Sequence, residues 1–441
     1  MLLRLIYENF LSFNDRVQFD MFPNPKRTYL NGHIYDQKVP VLKMSGIYGN
    51  VGAGKTNIIK GARFLKEFVL DKSFLSLGTV KRYQFRLKTD AGSKPLVVKV
   101  EFCNEGHYFI YEVAVSTQGV EKEALYESGL GKSENVLIFN RQGMKLHSKS
   151  TPQKQLQAAI NSLLSQNRFS SVMALNREFP LLPEKNLVDC AYNWFEQKLQ
   201  IITADAAFDR LVNMLHKDVE LYEYTRKIFH DIKLGIEDID VKYQTFEDFI
   251  QNKDIEEGAI PPEQLINAIP KGGGIASIAD NRQKYDFIIE DGIKKVGELL
   301  FKQLGVDGYV GNLDILAQSD GTLRILTLMP AFHRSTVSDT TYFIDEINNS
   351  LHPLLISQLI KYFAQDEFTK GQLVFTTHEV QILDNSFVRP DEIWIAEKEE
   401  GSTDIYSLND FKEHRSLSLK RGYLEGRYGG IPEFFVNPEK N

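Results

Sequence analysis

Apolar and polar positions along the chain predict strands at the N-terminus, followed by a strand, a glycine-rich turn and a helix. Apolar side chains occupy alternate positions in residues 3–8, and a second strand is predicted at residues 17–19. Residues 41–47 form an apolar strand that leads into the turn. Apolar residues then recur at helical spacing through residues 58–69.

The next part of the chain changes from strands to helices. Short apolar runs separated by glycines predict an antiparallel meander at residues 83–87, 96–102, 108–115 and 136–139. From residue 153 the spacing becomes helical, and residues 187–232 carry a long amphipathic pattern.

A segment rich in proline and glycine separates this helical part from the C-terminal part. Residues 256–281 are predicted to be a loop or linker, with helix resuming over residues 285–304. Beyond Tyr309 the alternation of strand and helix returns, with strands at 342–344, 373–377 and 392–396 and a helix at 354–363. We therefore predict three segments: 1–185, a helical insertion with linker at 186–300, and 301–441.

Composition narrows the class of protein. The chain has 441 residues and a formal net charge of −7, which makes a globally basic nucleic-acid-coating protein improbable on composition. Its two cysteines, Cys103 and Cys190, cannot form a disulfide framework for such a length. No apolar run approaches the roughly 18 residues of a membrane span, and the first residues lack a signal-peptide pattern. We expect a cytoplasmic protein without a membrane partner.

The glycine-rich turn fits the phosphate-binding pattern G-x-x-x-x-G-K-[ST]. Its residues are Gly49, Asn50, Val51, Gly52, Ala53, Gly54, Lys55 and Thr56. The glycines let backbone N–H groups converge on phosphate oxygens, Lys55 supplies positive charge to the β- and γ-phosphates, and the Thr56 hydroxyl is a Mg²⁺ ligand. The preceding strand and the following helix provide the context that this motif requires.

A pair of carboxylates follows a second apolar strand. Asp345 is predicted to hold Mg²⁺ through water, and Glu346 is predicted to orient or deprotonate the attacking water. A solvated acidic turn is the structural alternative, and the upstream P-loop makes it less favoured.

Two further clusters indicate the kind of P-loop ATPase. Ser319 and Gly321 precede an apolar helical pattern, where a hydroxyl and free N–H groups would form an anion cup. His378 ends the strand that follows the carboxylates. Each feature alone would be an ordinary helix start or a structural histidine, but their order after the P-loop is that of an ABC-type head.

Together the motifs resemble the SMC/RecF/OLD-like branch of ABC ATPases, and within it the stand-alone ATPases of bacterial anti-phage and abortive-infection systems, such as the AriA-type component of PARIS. The resemblance rests on the motifs above and on residues 9–13, 349–353 and 426–432. It implies an α/β fold: a head with a mixed central sheet and an antiparallel β lobe, split by a helical insertion. The family's glutamine loop has two candidates, Gln84 and Gln166.

The resemblance also implies a mechanism and partners. ATP with Mg²⁺ would bind the P-loop of one copy and be closed over by Ser319 and Gly321 of another, which requires a self-dimer or a higher homo-oligomer. Glu346, His378 and Lys55 would carry hydrolysis to ADP and phosphate. In this view the chain is a sensor of an anti-phage system, with a phage-encoded trigger and a separate effector, a toprim-type nuclease encoded nearby.

A DNA-clamping ATPase of repair or recombination is the alternative function. It requires a basic track, for which Lys81-Arg82, Lys294-Lys295 and Lys420-Arg421 are the candidates. The negative net charge of the chain disfavours DNA as a partner but does not exclude it. A transporter motor is a third alternative, and it leaves the long insertion unexplained.

Overall fold

The computed structural model describes residues 1–149, 154–204, 211–252, 276–280, 283–411 and 418–432. The chain divides into two compact units. Unit 1 comprises residues 1–204, 335–348 and 356–441, and unit 2 comprises residues 205–334 and 349–355. Unit 1 therefore contains both ends of the described chain.

The described residues form twenty β-strands and eleven α-helices. The first eleven strands are β1 (Leu2–Glu8), β2 (Val17–Asp20), β3 (Ile34–Tyr35), β4 (Val41–Leu42), β5 (Met44–Gly49), β6 (Leu96–Asn104), β7 (His107–Ser116), β8 (Gly119–Glu127), β9 (Val136–Gln142), β10 (Lys145–Ser148) and β11 (Leu199–Ile202). The remaining strands are β12 (Ile236–Thr245), β13 (Ala276–Asp280), β14 (Gln283–Glu290), β15 (Ile293–Leu304), β16 (Val310–Leu313), β17 (Thr341–Ile344), β18 (Gln372–Thr376), β19 (Ile393–Glu399) and β20 (Ser402–Ser407). The α-helices are α1 (Lys55–Leu70), α2 (Leu77–Tyr83), α3 (Lys154–Gln166), α4 (Val172–Glu178), α5 (Lys185–Asn193), α6 (Leu211–Lys217), α7 (Val219–Ile232), α8 (Phe246–Asn252), α9 (Asp320–Val337), α10 (Pro353–Gln365) and α11 (Leu419–Leu424).

Unit 1 contains two large sheets. The seven-stranded sheet has the order β10-β9-β8-β7-β6-β1-β2 and is antiparallel throughout. The six-stranded sheet has the order β11-β17-β18-β5-β19-β20, in which every neighbouring pair is parallel except β19 and β20. A mixed central sheet and an antiparallel β lobe were predicted, and both are confirmed.

Helix α1 lies within the core of unit 1. Its buried residues, which include Ile58, Phe64 and Val69, form a broad face, while Lys60 and Arg63 lie on the exposed side. One hydrophobic cluster joins α1 to side chains of both sheets, among them Val98 and Val374. This broad apolar contact fixes the helix, and its first turn carries the lysine and threonine of the P-loop.

Unit 2 is built around a sheet of five strands. The order is β12-β15-β14-β13, and β16 pairs with the C-terminal end of β15. Helix α8 packs on this sheet through Phe246 and Phe249 against Phe287 and Val296. The strands β14 and β15 are joined by Asp291 and Gly292, both at positive φ (52° and 77°).

This architecture corrects three predictions of secondary structure. Residues 285–304 form the hairpin β14–β15 and not a helix, because the Asp-Gly turn reverses the chain. The helical pattern of 187–232 is interrupted by β11, whose Ile201 and Ile202 pair with β17. In residues 83–87 only Gln84 forms a bridge, with Phe10, and Tyr83 ends α2.

The inserted unit also differs from the prediction in extent and in character. It begins at residue 205 instead of 186, and it contains a sheet as well as helices. In addition, β8 was missing from the predicted meander. Most of the predicted linker, 256–275 and 281, lies outside the described residues, and residues 276–280 are strand β13.

Candidate functional site

The predicted nucleotide-binding residues of unit 1 follow three parallel strands. The P-loop follows β5, the carboxylate pair follows β17, and His378 comes after β18, which lies between them in the sheet. Carboxyl ends of parallel strands share one edge of a sheet, where the loops can meet around a ligand. Sheet order thus brings together motifs that are far apart in sequence.

Three glycines shape the P-loop. Gly49, Gly52 and Gly54 all have positive φ (146°, 76° and 102°), a conformation that side chains rarely adopt. A Cβ on Gly49 would overlap the carbonyl oxygen of Ala396, and one on Gly54 would overlap the hydroxyl of Thr403. Around Gly52, in contrast, there is open space within 4 Å. The loop is therefore fixed at both ends and open in its middle.

Lys55 keeps its ammonium group close to the P-loop. Its Nζ donates hydrogen bonds to the carbonyl oxygens of Gly49 (2.9 Å) and Asn50 (3.0 Å). Burial lowers the pKa of Lys55 to about 8, while the charges of Glu346 and Asp345 act in the opposite direction. A phosphate group bound to this loop would compensate the desolvated charge.

Thr56 and Asp345 lie side by side. The Thr56 hydroxyl donates to Asp345 Oδ1 (3.0 Å), and the Thr376 hydroxyl donates to the same oxygen (2.6 Å). A hydroxyl and a carboxylate are hard oxygen ligands, which suit Mg²⁺ in phosphate-binding sites. These two residues fit the predicted metal-binding roles, and a bound Mg²⁺ would supply charge that neutralises phosphate oxygens.

Glu346 has a backbone conformation that is unusual for its residue type. Its φ is 45°, in the left-handed region, and the residue is half-buried. The Glu346 N–H donates to the Thr376 hydroxyl (2.8 Å), and the next N–H, of Ile347, donates to the Thr376 carbonyl oxygen (3.0 Å). Strained backbone is typical of functional sites, where the surrounding contacts keep it in place.

His378 is the fourth ionisable residue at this sheet edge, after Lys55, Asp345 and Glu346. Its pKa lies below the ordinary value because the ring is partly buried and because Lys55 is nearby, while Glu346 opposes the shift. A lowered pKa favours the neutral imidazole, in which one ring nitrogen carries a proton and can donate a hydrogen bond. The preceding Thr377 donates through its hydroxyl to Asn348 Oδ1 (2.8 Å), which ties this turn to the segment after the carboxylates.

Thr376 contacts both carboxylate residues, although the sequence analysis gave it no role. We expect Thr376→Val to slow ATP hydrolysis at least about tenfold and to lower the free energy of unfolding by about 1–3 kcal/mol, because a buried N–H and a buried carboxylate lose a partner. The Mg²⁺ concentration for half-maximal activity should rise. Thr376→Ser is the matched control and should restore both properties. Equal activity and Mg²⁺ dependence in the valine variant would contradict the role of this hydroxyl.

The N-terminal motif supports the P-loop from the side of α1. The Ser12 hydroxyl accepts a hydrogen bond from Asn57 Nδ2 (2.8 Å) and lies 2.8 Å from Thr403 Oγ1. The Thr403 hydroxyl in turn donates to the carbonyl oxygen of Ala53 (2.8 Å). Thr403, on β20, is a second residue that the sequence analysis missed, because its partners are distant in the chain.

The C-terminal motif packs against the first residue of the P-loop. Gly429 and Gly430 both have positive φ, and a Cβ on Gly430 would lie 3.2 Å from the Cα of Gly49. The Tyr423 hydroxyl donates to the carbonyl oxygen of Gly430 (3.0 Å), and the Tyr423 ring packs edge-on against Tyr48 in β5. The motifs at both ends of the described chain therefore support the same loop.

Ser319 and Gly321, the signature residues predicted to close over the ATP of another copy, belong to unit 2. The Ser319 hydroxyl accepts from the N–H of Thr322 (3.2 Å) and so caps α9. Gly321 leaves no room for a side chain, since a Cβ would lie 2.8 Å from the carbonyl oxygen of Ser350. Ser319 itself is exposed, and this start of a helix is open to solvent.

The two glutamine candidates differ in environment. Gln84 is buried, and its side chain donates to the carbonyl oxygen of Lys94 (2.9 Å). Gln166 is exposed at the end of α3. Gln84 thus has a structural partner, and Gln166 remains accessible.

The sheet order and the P-loop define the class of protein. A parallel sheet with the P-loop after one strand, the carboxylates after another, and a third strand between them is the architecture of a P-loop ATPase of the ABC type. A family model described as "AAA domain, putative AbiEii toxin, Type IV TA system" matches residues 44–384. The chain belongs to this family, and it is an ATPase.

Comparison with solved structures returned SMC head domains. The SMC head domain from Thermotoga maritima is 12% identical, with a TM-score of 0.40, and the match covers 92% of this chain and 98% of that chain. An Smc head bound to the C-terminal domain of ScpA from Pyrococcus furiosus is 13% identical, with a TM-score of 0.43 and coverage of 97% and 98%. The comparison with curated proteins found no match.

None of the helices among the described residues has the length and apolar character needed to cross a bilayer. Within the same residues, no group of three or more histidine, cysteine, aspartate or glutamate side chains is arranged to hold a metal ion.

Proposed function

We propose that this ATPase closes as a pair around ATP and Mg²⁺ and thereby controls a separate toxic effector in an anti-phage system. The observation that carries the proposal is the hydrogen bond from Thr56 to Asp345 (3.0 Å), which unites the P-loop with the carboxylate pair. The chain thus has the parts for binding and hydrolysing a nucleoside triphosphate. Such a reaction can switch a protein between two states.

The roles of the residues in unit 1 follow from their positions. Lys55 and the N–H groups of the P-loop bind the phosphates, and Thr56 and Asp345 hold Mg²⁺. Glu346 accepts a proton from the attacking water, and neutral His378 donates a hydrogen bond to the γ-phosphate. These groups share one sheet edge, and Lys55 interacts electrostatically with Asp345, Glu346 and His378.

The roles of Ser319 and Gly321 require a second copy of the chain. Their exposed helix start offers a hydroxyl and N–H groups to an anion. In the proposed dimer these groups bind the phosphates held by the partner's P-loop, and a twofold axis makes the two sites equivalent. Hydrolysis removes the phosphate that both copies hold, so the closed state is lost.

The family description supports a role in toxicity control, because it names a toxin of a type IV toxin–antitoxin system. We place the toxic activity in a separate protein, a toprim-type nuclease encoded nearby, and the trigger in a phage protein. The ATPase is then the sensor, and its nucleotide state is the signal. This division of roles separates our proposal from one in which the chain is itself the toxin.

Three residues of the basic pairs that would support DNA clamping have acidic or polar partners. Lys295 lies 2.7 Å from Glu290, and Arg421 lies 2.6 Å from Glu425. Lys420 donates to Gln381 (2.7 Å). Such pairing is typical of a solvated protein surface, and it reduces the charge available to phosphates.

A phage-challenge assay with the neighbouring genes tests the proposal. Cells that carry the ATPase and the nuclease gene should be protected, whereas Glu346→Gln, or deletion of the nuclease gene alone, should remove protection. Cells that express the ATPase alone should grow normally. Growth arrest by the ATPase alone would show that the chain is the toxin. Steep, ATP-dependent binding of duplex DNA across a salt series would instead favour the DNA-clamping function.

A further inference from the structure

The β15–β16 hairpin exposes a cluster of large apolar side chains. At its tip Val306 is 83% exposed and Tyr309 is 72% exposed. The other members of this hairpin surface are Leu304, Val310 and Leu313, each between 39% and 56% exposed. Leu304 and Val310 pair across the hairpin and share a face, whereas Leu313, opposite Phe301, lies on the other face. Single exposed apolar residues are ordinary, but five within ten residues are a concentration of the kind that marks an interaction site.

The edge of this hairpin also lacks the usual protection against other chains. Among the described residues β16 pairs only with β15, so its other edge has unpaired backbone groups. Natural edge strands are usually protected by lysine, proline or a bulge. Residues 303–318 contain no lysine, arginine or proline, and their only charged side chains are Asp307 and Asp314. The nearest lysine, Lys302 of β15, lies 3.2 Å from Asp238, so the hairpin offers little positive charge to a polyanion such as DNA or an anionic membrane and suits a protein partner.

The base of the hairpin is joined to the signature segment. Gln303 Nε2 donates to Gln318 Oε1 (2.9 Å), and Gln318 Nε2 donates to the carbonyl oxygen of Asp314 (3.3 Å). Gln318 is buried and immediately precedes Ser319. The hairpin and the signature helix start therefore belong to one hydrogen-bonded segment of unit 2.

We propose that the hairpin surface docks on a second copy of this chain when ATP closes the dimer. The inference rests on the proposed function, in which Ser319 reaches the nucleotide of a partner copy. Because its base is hydrogen-bonded to the residue before Ser319, the hairpin is carried towards that same copy in the proposed dimer. The partner's P-loop presents an apolar side chain of its own, since Val51 is 82% exposed. Burial of this apolar surface would stabilise the closed dimer beyond the contribution of the nucleotide contacts.

Analytical ultracentrifugation of the full chain tests this docking surface. The parent protein carries Glu346→Gln and is measured with ATP and Mg²⁺. Adding Val306→Ser and Tyr309→Ser should raise the dimer dissociation constant at least tenfold, while ATP binding by the monomer stays unchanged. Ile293→Ser is the matched control, because Ile293 is 49% exposed at the other end of β15. It should leave the dimer as in the parent.

The outcomes separate the two proposals. If the parent dimerises with ATP and the hairpin variant dimerises equally well, the docking surface is wrong and the ATP-closed dimer stands. If the parent itself remains monomeric with ATP, the ATP-closed dimer is wrong, and the docking surface falls with it.

A second measurement avoids any effect of the serine substitutions on folding. Cys103 and Cys190 are both buried, so Tyr309→Cys introduces a selectively reactive thiol. ATP should slow its reaction with a maleimide at least fivefold in the Glu346→Gln background. The thiol of Ile293→Cys should react at the same rate with and without ATP. Equal protection at both positions, or at neither, would overturn the docking surface.

Discussion

Glu346→Gln is expected to reduce ATP turnover by about a hundredfold or more while ATP binding persists, because a general base contributes about 10²–10⁴ to the rate. Glutamine keeps the size of the side chain but cannot accept the proton of the attacking water. The Glu346 N–H would still donate to Thr376, so the turn keeps its shape. With hydrolysis blocked, ATP should remain bound and the closed dimer should accumulate.

Single-turnover hydrolysis and analytical ultracentrifugation measure these two effects. The matched control is Glu399→Gln, since Glu399 is exposed on β19 and has no place among the nucleotide-binding residues. It should hydrolyse ATP at the rate of the unmodified protein. Unchanged turnover in the Glu346 variant would show that another group activates the water.

Lys55→Ala should raise the dissociation constant for ATP at least about a hundredfold. The β- and γ-phosphates would each lose a charge-assisted hydrogen bond from the lysine, and each such bond is worth about 1.5–3 kcal/mol. The variant should fold, since the lysine bonds only to carbonyl oxygens of its own loop. Fluorescence titration with a labelled ATP analogue measures the affinity. Near-normal affinity would contradict the assignment of the P-loop lysine.

The pH dependence of binding provides a more specific test of Lys55. Burial lowers its pKa to about 8, so the free protein loses this charge as the pH rises through 8. Bound phosphate favours the charged form and raises the pKa again. ATP binding should therefore take up about a tenth of a proton at pH 7 and about half a proton at pH 8.

Calorimetry in buffers of different ionisation enthalpy measures this uptake. In Lys55→Arg the guanidinium stays charged over the same pH range, so the uptake should disappear even where binding is retained. If the number of protons taken up on ATP binding decreases from pH 7 to pH 8, a group other than Lys55 titrates.

Local patterns were sufficient for the P-loop and its neighbours. A glycine-rich turn between an apolar strand and an apolar helix is defined by adjacent residues, and Lys55–Leu70 is the predicted helix. The strand before Asp345 was predicted for the same reason. The Asp291-Gly292 turn was an equally local signal for a hairpin, and the sequence analysis missed it because apolar residues in 285–304 also fit a helical period.

Other elements had no local signal. Residues 199–202 are strand β11 because they pair with β17, more than a hundred residues later, and Lys66 of α1 donates to the carbonyl oxygen of Leu199 (2.5 Å). An apolar run of this length fits a buried helix equally well. Thr376 and Thr403 likewise acquire their partners only through sheet pairing.

The sequence by itself determined which groups are candidates to bind and hydrolyse ATP, since the glycines, Lys55, Thr56, Asp345 and Glu346 are recognisable from their immediate neighbours. Only the tertiary structure decided how those groups are held: Thr376 bridges the two carboxylate residues, Thr403 and Gly430 support the P-loop, and unit 2 is a sheet with an exposed apolar hairpin. The physical reason is that chemical identity and local conformation depend on adjacent residues. Burial, charge and hydrogen-bond partners depend on parts of the chain that meet only on folding.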